Sequence, residues 1–168
     1  MTAIPFVGLG AIGLPMASRI RDAGHEVAGV DPLPASRDRA AGTGIVVHGH
    51  ISQAPKNPTV VVMVATPAQL RTLVDEALPL GVAGSTWIVM STVGPESIRE
   101  QGARLVTAGA TVIDSPVTGG VARARTGELN LFTAGDEQAV DSVRAVLAPL
   151  GRVNLVGRNL GEGQAIKV

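Results

Sequence analysis

Three glycines near the start of the chain have the spacing of a phosphate-binding turn. Gly8, Gly10 and Gly13 form G-x-G-x-x-G between an apolar run and a helical pattern. The first glycine allows a tight strand-to-helix turn, the second lets the backbone approach a pyrophosphate, and the third lets helix and strand pack closely. The pyrophosphate then lies at free N–H groups, where the helix dipole favours negative charge. We therefore predict dinucleotide contacts from Gly8, Leu9, Gly10, Ala11, Ile12 and Gly13.

An acidic residue follows this turn at the distance that a dinucleotide site requires. Asp31 lies eighteen residues after Gly13, at the end of the apolar stretch 27–30. In such sites an acid about 20 residues on accepts hydrogen bonds from the adenosine ribose. Its charge would repel a 2′-phosphate, which favours NAD, although Arg37 and Arg39 are near enough in sequence to keep NADP open. The alternative is an ordinary tight turn followed by a solvated aspartate.

Composition excludes several other classes of function. The chain has 168 residues, 45% of them hydrophobic, which suits one domain, or one domain and part of another. Formal net charge is zero and basic residues are scattered, so neither nucleic acid nor membrane is an expected partner. There is no cysteine, and His25, His48 and His50 lack metal-site spacing, so no metal site is predicted. Without a leader segment or membrane span, the expected location is cytoplasmic.

Apolar runs alternate with helical patterns along the whole chain. This alternation predicts an α/β fold, a doubly wound Rossmann-type, largely parallel sheet. Ligands in such sheets bind beyond the carboxyl ends of the strands, where Ala65 and Thr66 are further candidates for cofactor contact. The predicted strands lie near residues 3–8, 26–30, 45–47, 59–65, 86–90, 111–114, 129–134 and 152–156.

Four positions bear on where the helices begin and how they pack. Pro95 suits a first helical turn and Asp136 suits an N-cap. Pro15 is predicted just beyond the first turn of its helix, where its missing N–H loses a hydrogen bond. Gly109 is expected to share a helical face with the apolar residues that follow Pro95.

Four segments together resemble the β-hydroxyacid dehydrogenase family, which includes 3-hydroxyisobutyrate and tartronate semialdehyde reductase-type enzymes and is related to 6-phosphogluconate dehydrogenase. The segments are Gly8-Leu9-Gly10-Ala11-Ile12-Gly13-Leu14-Pro15-Met16-Ala17, Met90-Ser91-Thr92, Asp114-Ser115-Pro116-Val117-Thr118-Gly119-Gly120 and Gly161-Glu162-Gly163-Gln164-Ala165-Ile166-Lys167. They span the chain. The first has Ile12 where the family usually has Met, and the third has Thr118 where Ser is usual.

The resemblance implies a chemistry and a set of residues for it. A hydride would pass between the nicotinamide and a small 3-hydroxy acid or its oxo form, and Lys167 would exchange the proton of the substrate oxygen. Thr92 would lie by the nicotinamide ribose, while Asp114 would be structural. The substrate carboxylate would be held by Thr118, Gly119 and Gly120, whose hydroxyl and N–H groups can form an anion-binding nest. The alternative is a loop whose glycines only turn the chain.

The resemblance also implies a larger protein. Family members continue through a long helix into an all-α domain that closes the substrate cleft and usually forms the dimer. Residues 1–160 are therefore expected to form the dinucleotide-binding domain, and residues 161–168 to begin that helix, with the C-terminal all-α domain absent. The intact enzyme is expected to be a homo-oligomer. In the chain given, the Lys167 side chain is expected to be mobile and its pKa little perturbed. Little or no turnover is expected of this chain alone.

Three questions stay open on the sequence. Arg123 stands where the family often has a small residue, so it either contacts a second acidic group of the substrate or is simply solvated. The chain could also be a nucleotide-binding module for sensing or assembly, without turnover. An imine reductase-like domain is a third alternative, but such enzymes usually have another residue where Lys167 stands.

Overall fold

The computed structural model describes residues 2–167, which form one sheet covered by helices on both faces. The strands are β1 Ile4–Val7, β2 Val27–Val30, β3 Val46–His48, β4 Thr59–Val62, β5 Thr86–Val89, β6 Thr111–Asp114, β7 Val117–Thr118, β8 Leu129–Ala134 and β9 Gly151–Gly157. The helices are α1 Gly13–Asp22, α2 Pro34–Ala41, α3 Pro67–Ala77, α4 Pro95–Thr107, α5 Gly120–Thr126, α6 Glu137–Ser142, α7 Arg144–Leu147 and α8 Glu162–Lys167.

The strand order confirms the predicted doubly wound architecture. Six strands run parallel in the order β3-β2-β1-β4-β5-β6. Beyond them, β6 and β7 pair antiparallel with β8, and β9 runs parallel to β8. The order of the first six strands is that of dinucleotide-binding sheets, which bind ligands where the winding direction reverses, between β1 and β4.

The core has one apolar layer on each face of the sheet. Successive strand residues point to opposite faces, so neighbours along β1 and β5 enter different layers. Phe6 and Ile88 pack with the α1 layer, whereas Val7 and Val89 pack with the layer of α3 and α4. Because both faces are covered, these strands are continuously apolar rather than alternating. Among residues 2–167, no helix has the length and apolarity needed to cross a membrane.

The local helix predictions are mostly confirmed. Pro95 is the first residue of α4, and the Asp136 carboxylate caps α6 by accepting a hydrogen bond from the Ala139 N–H at 3.0 Å. The lost hydrogen bond at Pro15 is confirmed too, because the N–H groups of Leu14 and Met16 donate to the carbonyls four residues back at 3.1 and 3.2 Å, while Pro15 between them has no N–H to donate. One detail was wrong. Gly109 lies beyond the end of α4, with a φ of +96°.

The segment after β6 is more ordered than the sequence indicated. No strand is predicted between residues 114 and 129, but Val117 and Thr118 form the short strand β7, which pairs with Leu131 and Asn130 of β8. The Phe132 N–H donates to the Pro116 carbonyl at 2.9 Å, so hydrogen bonds to β8 continue from β6 through Pro116 into β7. A two-residue strand directly after a proline is too short to show a periodicity, because it is specified by its partner strand.

Candidate cofactor and substrate site

The three glycines of the turn after β1 have three different environments. A Cβ on Gly8 would lie 2.2 Å from the Met63 carbonyl oxygen, and Gly8 also has a φ of +100°. A Cβ on Gly13 would lie 2.0 Å from the Gly8 carbonyl oxygen, so the backbone of α1 is in direct contact with the backbone of the turn. Gly10, in contrast, has no atom within 4 Å of the corresponding position. Gly8 and Gly13 therefore serve packing inside the chain, while Gly10 leaves an open face for a ligand.

The N-terminus of α1 offers unused hydrogen-bond donors beside this open face. Within residues 2–167, the N–H groups of Gly10, Ala11 and Ile12 have no hydrogen-bond partner. Gly10 and Ala11 are exposed. Free N–H groups at the positive end of a helix dipole suit an anion such as a pyrophosphate. The cradle expected from the sequence therefore fits the phosphates of a dinucleotide.

Asp31 lies at the end of β2 and is held from two sides. Its carboxylate accepts hydrogen bonds from the Leu9 N–H and from the Leu33 N–H, both at 2.9 Å. The residue is 7% exposed. It thus ties the glycine turn to the turn after β2, and it lines the neighbouring cleft with carboxylate lone pairs to spare.

A cleft of about 390 Å³ opens between the carboxyl ends of β1, β2 and β4. It is mainly apolar, and Asp31 and Glu76 are its acidic lining residues. Within residues 2–167, no Lys or Arg lines it. The Arg37 guanidinium lies nearby but binds the backbone: its Nη1 donates to the carbonyls of Asp31 and Pro32 at 3.0 and 2.8 Å. An apolar cleft with a carboxylate at its edge suits an adenosine group better than one with a 2′-phosphate.

The two candidates after β4 differ in their surroundings. Ala65 lines the cleft, and its N–H donates to Gln69 Oε1 at 2.7 Å. Thr66 is exposed and does not line the cleft. Its hydroxyl caps α3 by accepting from the Gln69 N–H at 3.1 Å. Gln69 itself lines the cleft and was missed on the sequence, although its position three residues after an N-cap threonine is a recognisable signal.

Lys167 and Thr92 meet at the carboxyl end of β5. Lys167 Nζ donates a hydrogen bond to Thr92 Oγ1, across 75 positions of the sequence. Burial lowers the pKa of the Lys167 ammonium from its ordinary value. The expectation of a little-perturbed pKa was therefore wrong, because α8 places the ammonium at this strand end, where burial disfavours its charge. The expected mobility of the Lys167 side chain stays a prediction.

The close packing of α8 depends on Gly163 and Asp114. A Cβ on Gly163 would lie 2.5 Å from the Phe132 carbonyl oxygen and 3.1 Å from that of Asp114, so only a glycine allows this approach. The Asp114 carboxylate accepts hydrogen bonds from the N–H groups of Gly161 and Gln164 at 3.0 and 3.2 Å. Burial raises the pKa of Asp114, and hydrogen bonds from Gln164, Gly161 and Gly163 partly oppose that shift. Asp114 therefore has the structural role expected of it, as a cap for α8.

The candidate anion-binding loop follows β7. Thr118 is half-buried, and Gly119 and Gly120 are exposed, with φ values of +135° and +69°. Within residues 2–167, the Gly119 and Gly120 N–H groups have no partner. A Cβ on Gly119 would lie 2.9 Å from the Arg123 Cβ, so the aliphatic stem of this exposed arginine passes over the loop. The loop thus has the free donors that a carboxylate needs.

Comparison with known proteins identifies the family. Residues 3–159 match the family described as the NAD binding domain of 6-phosphogluconate dehydrogenase. The chain belongs to that family. It is an N-terminal, NAD-binding domain of the β-hydroxyacid dehydrogenase type, and the resemblance inferred from the four segments is confirmed.

Relatives of this NAD-binding domain are named as dehydrogenases. A probable 3-hydroxyisobutyrate dehydrogenase of Mycobacterium tuberculosis is 35% identical over 170 residues, covering 100% of this chain and 58% of the relative. The 3-hydroxyisobutyrate dehydrogenase of Pseudomonas aeruginosa is 33% identical over 177 residues, with the same coverages of 100% and 58%. The chain thus spans little more than half the length of these relatives.

A solved structure agrees with the same assignment. The structure of the Mycobacterium tuberculosis 3-hydroxyisobutyrate dehydrogenase with L-serine superposes with a TM-score of 0.91 at 32% identity, covering 99% of this chain and 58% of that one. The NAD-binding domain therefore has the fold of the N-terminal part of that enzyme.

Proposed function

We propose that this NAD-binding domain supports hydride transfer between a nicotinamide cofactor and a small 3-hydroxy acid or its oxo form, with Lys167 exchanging the proton. The observation that carries the proposal is the contact between Lys167 Nζ and Thr92 Oγ1 at the carboxyl end of β5. Lys167 is the basic residue at the position where the family motif has its lysine. The contact places it at the carboxyl ends of the strands, where cofactors bind in such sheets.

The cofactor's position in the proposal follows from the chain's own donors. The pyrophosphate would contact the free N–H groups at Gly10, Ala11 and Ile12, and the adenosine ribose would lie at Asp31. The lining of the described cleft supports NAD over NADP, because a 2′-phosphate would meet the Asp31 carboxylate, while the nearby Arg37 guanidinium already donates to the carbonyls of Asp31 and Pro32. Bound NAD would supply the hydride acceptor at the nicotinamide.

Lys167 is proposed to hold or release one proton at Nζ, toward the substrate oxygen. A lysine serves this purpose better when its pKa falls toward the working pH, and burial lowers the pKa of Lys167. Thr92 would orient the amine through its hydroxyl. Thr118 and the N–H groups of Gly119 and Gly120 would hold the substrate carboxylate.

The domain limits are part of the same proposal. Residues 1–160 would form the dinucleotide-binding domain, which is supported by a family match that ends at residue 159. Residues 161–168 would begin the helix that leads to a second domain. Lys167 is thus proposed to stand at the junction, so that closure of a second domain would cover both cofactor and substrate.

Two measurements test this function. Calorimetric titration of the chain with NADH and NADPH should give tighter binding of NADH. Oxidation of 3-hydroxyisobutyrate and of L-serine should then be followed by NADH absorbance, with the chain alone and fused to the remaining part of a relative. Turnover that disappears in Lys167→Met supports the proposal. Turnover that survives in Lys167→Met, or NADH binding without turnover in any fused form, would instead favour a nucleotide-binding module.

A further inference from the structure

The side chain of Gln164 is almost completely buried where three segments meet. Its exposed fraction is 1%. The amide oxygen accepts hydrogen bonds from the N–H groups of Val93 and Gly94, both at 3.0 Å. The amide nitrogen donates to the Ser91 carbonyl and to the Asp114 carboxylate, both at 2.9 Å. All four hydrogen-bonding positions of the amide are therefore used.

These contacts surround Thr92, the residue that receives Lys167. Ser91 directly precedes Thr92, while Val93 and Gly94 follow it, so Gln164 fixes the turn on both sides of Thr92. Gln164 and Lys167 are also three positions apart on α8, which places them on one face of the helix. A single amide thus fixes both partners of the Lys167–Thr92 contact, the helix and the turn.

We propose that Gln164 is a positioning residue, whose amide locks α8 to the turn after β5 and so holds the Lys167 ammonium at the Thr92 hydroxyl. The inference rests on the proposed function, in which Lys167 exchanges the proton. The chemistry of the side chain supports it, because only an uncharged amide offers two donors and two acceptors at this length. A glutamate in its place would set a second carboxylate against Asp114, and the two charges would repel.

The charged groups around α8 set the electrostatic background of Lys167. Asp114 faces the start of the helix from β6, and Arg99 of α4 donates from Nε to the Leu160 carbonyl at 3.1 Å. On α8 itself, Glu162 accepts hydrogen bonds from the backbone and side chain of Asn159 at 2.8 and 3.1 Å. An uncharged substitution at Gln164 adds or removes no charged side chain, and among these groups it changes the hydrogen bonds of Asp114 alone, which loses a donor that lowers its pKa. A shift in Lys167 titration would then reflect its position and burial.

The lysine content of the chain makes a direct test possible. Lys56 and Lys167 are the only lysines in the sequence, so side-chain labelling of lysine with carbon-13 gives two signals. A Lys56→Arg variant assigns them. In Gln164→Met, which keeps the length of the side chain but removes its four hydrogen bonds, the titration midpoint of Lys167 should rise toward the ordinary lysine value. The affinity for NADH should also fall about tenfold, which corresponds to the loss of one or two hydrogen bonds that order the turn at Thr92.

Two further variants make the test specific. Gln53 lies just after β3, at the other edge of the sheet. Its amide oxygen accepts hydrogen bonds from the N–H groups of Gly49 and His50 at 2.9 and 3.1 Å, and Gln53→Met removes both. This control makes the same chemical change at an exposed glutamine and should leave the Lys167 midpoint unchanged. Gln164→Asn keeps an amide but is one methylene too short to reach both segments, so it should raise the midpoint as Gln164→Met does.

The outcomes separate this inference from the proposed function. An unchanged Lys167 midpoint in folded Gln164→Met or Gln164→Asn would overturn the positioning role. A rise of equal size in Gln53→Met would overturn it as well, because the effect would then be general destabilisation. The titration needs neither cofactor nor substrate. Failure to turn over hydroxy acids would therefore refute the proposed function and leave the titration result standing.

Discussion

Alanine substitutions at Gly10 and Gly13 should separate cofactor binding from folding. Gly13 has no room for a side chain, because its Cβ would lie 2.0 Å from the Gly8 carbonyl oxygen. Gly10 has nothing within 4 Å of its Cβ position, and it is not among the residues with positive φ. An alanine therefore fits at Gly10 without strain, while at Gly13 it forces α1 away from the turn.

The size of each effect follows from these distances. Ordinary Cβ contacts begin at 3.4 Å, against the 2.0 Å at Gly13, so the helix must move by about 1.4 Å and disturb the packing of Met16 and Ile20, both fully buried. Overpacking of this kind costs about 1–3 kcal/mol. In a chain of this size each kcal/mol lowers Tm by roughly 2–4 °C, so Gly13→Ala should melt about 2–12 °C lower.

Gly10→Ala should change stability in the opposite direction or not at all. Replacing a glycine whose conformation alanine can adopt stabilises by about 0.4–1 kcal/mol, because the unfolded chain loses conformational freedom. The added methyl group, however, occupies the face where the pyrophosphate must approach the backbone. A loss of about 1.4–2.8 kcal/mol of binding energy, or about 10- to 100-fold in Kd for NADH, is expected.

Thermal unfolding by circular dichroism and calorimetric titration with NADH measure the two effects independently. Calorimetry is preferable to quenching of Trp87. That residue lies near the start of β5 and lines a different cavity, of about 320 Å³, at the amino ends of the strands. Wild-type NADH affinity in Gly10→Ala would show that the phosphates bind elsewhere. Wild-type stability in Gly13→Ala would refute the argument from close packing.

Three further predictions concern the acids and the lysine. Asp31→Ser should lose at least tenfold in NADH affinity while NADPH affinity rises or stays constant, as measured by calorimetry; an equal loss for both cofactors would contradict the ribose role. Asp114→Asn should destabilise the fold at neutral pH by about 1–3 kcal/mol, because one amide oxygen cannot replace a carboxylate that accepts three N–H groups. Burial raises the folded pKa of Asp114 above its ordinary value, so ionisation of this carboxyl costs part of the stability: stability is highest at low pH and falls as pH rises through the folded pKa, while the accepted hydrogen bonds keep the ionised carboxylate better placed than an amide; urea unfolding across this range should show the slope in wild type and not in Asp114→Asn. Lys167→Met should leave NADH affinity within about twofold and abolish turnover of the fused enzyme, and a large change in NADH affinity would mean that the lysine mainly orders the cofactor site.

The sequence by itself determined the sheet, the glycine turn and Asp31. These features are local, since a run of β-branched residues, a glycine spacing and an acid at the end of a strand are each specified within about thirty positions. The role of Gly13 also follows from spacing, because the helix after such a turn packs closely against it. The close approach of Gly8 to the Met63 carbonyl, in contrast, depends on a segment 55 positions away.

The tertiary structure alone decided how the end of the chain meets the strand ends. Gln164 reads as one more polar residue in a short helix, yet its amide joins Ser91 and Asp114, which lie 73 and 50 positions away. β7 exists because β8 pairs with it, and Lys167 is held at Thr92 because Gly163 lets α8 approach β8 and the segment after β6 at backbone distance. The physical reason is the same in each case. The hydrogen-bond partner or packing surface is supplied by a distant segment, and only the folded sheet brings the two together.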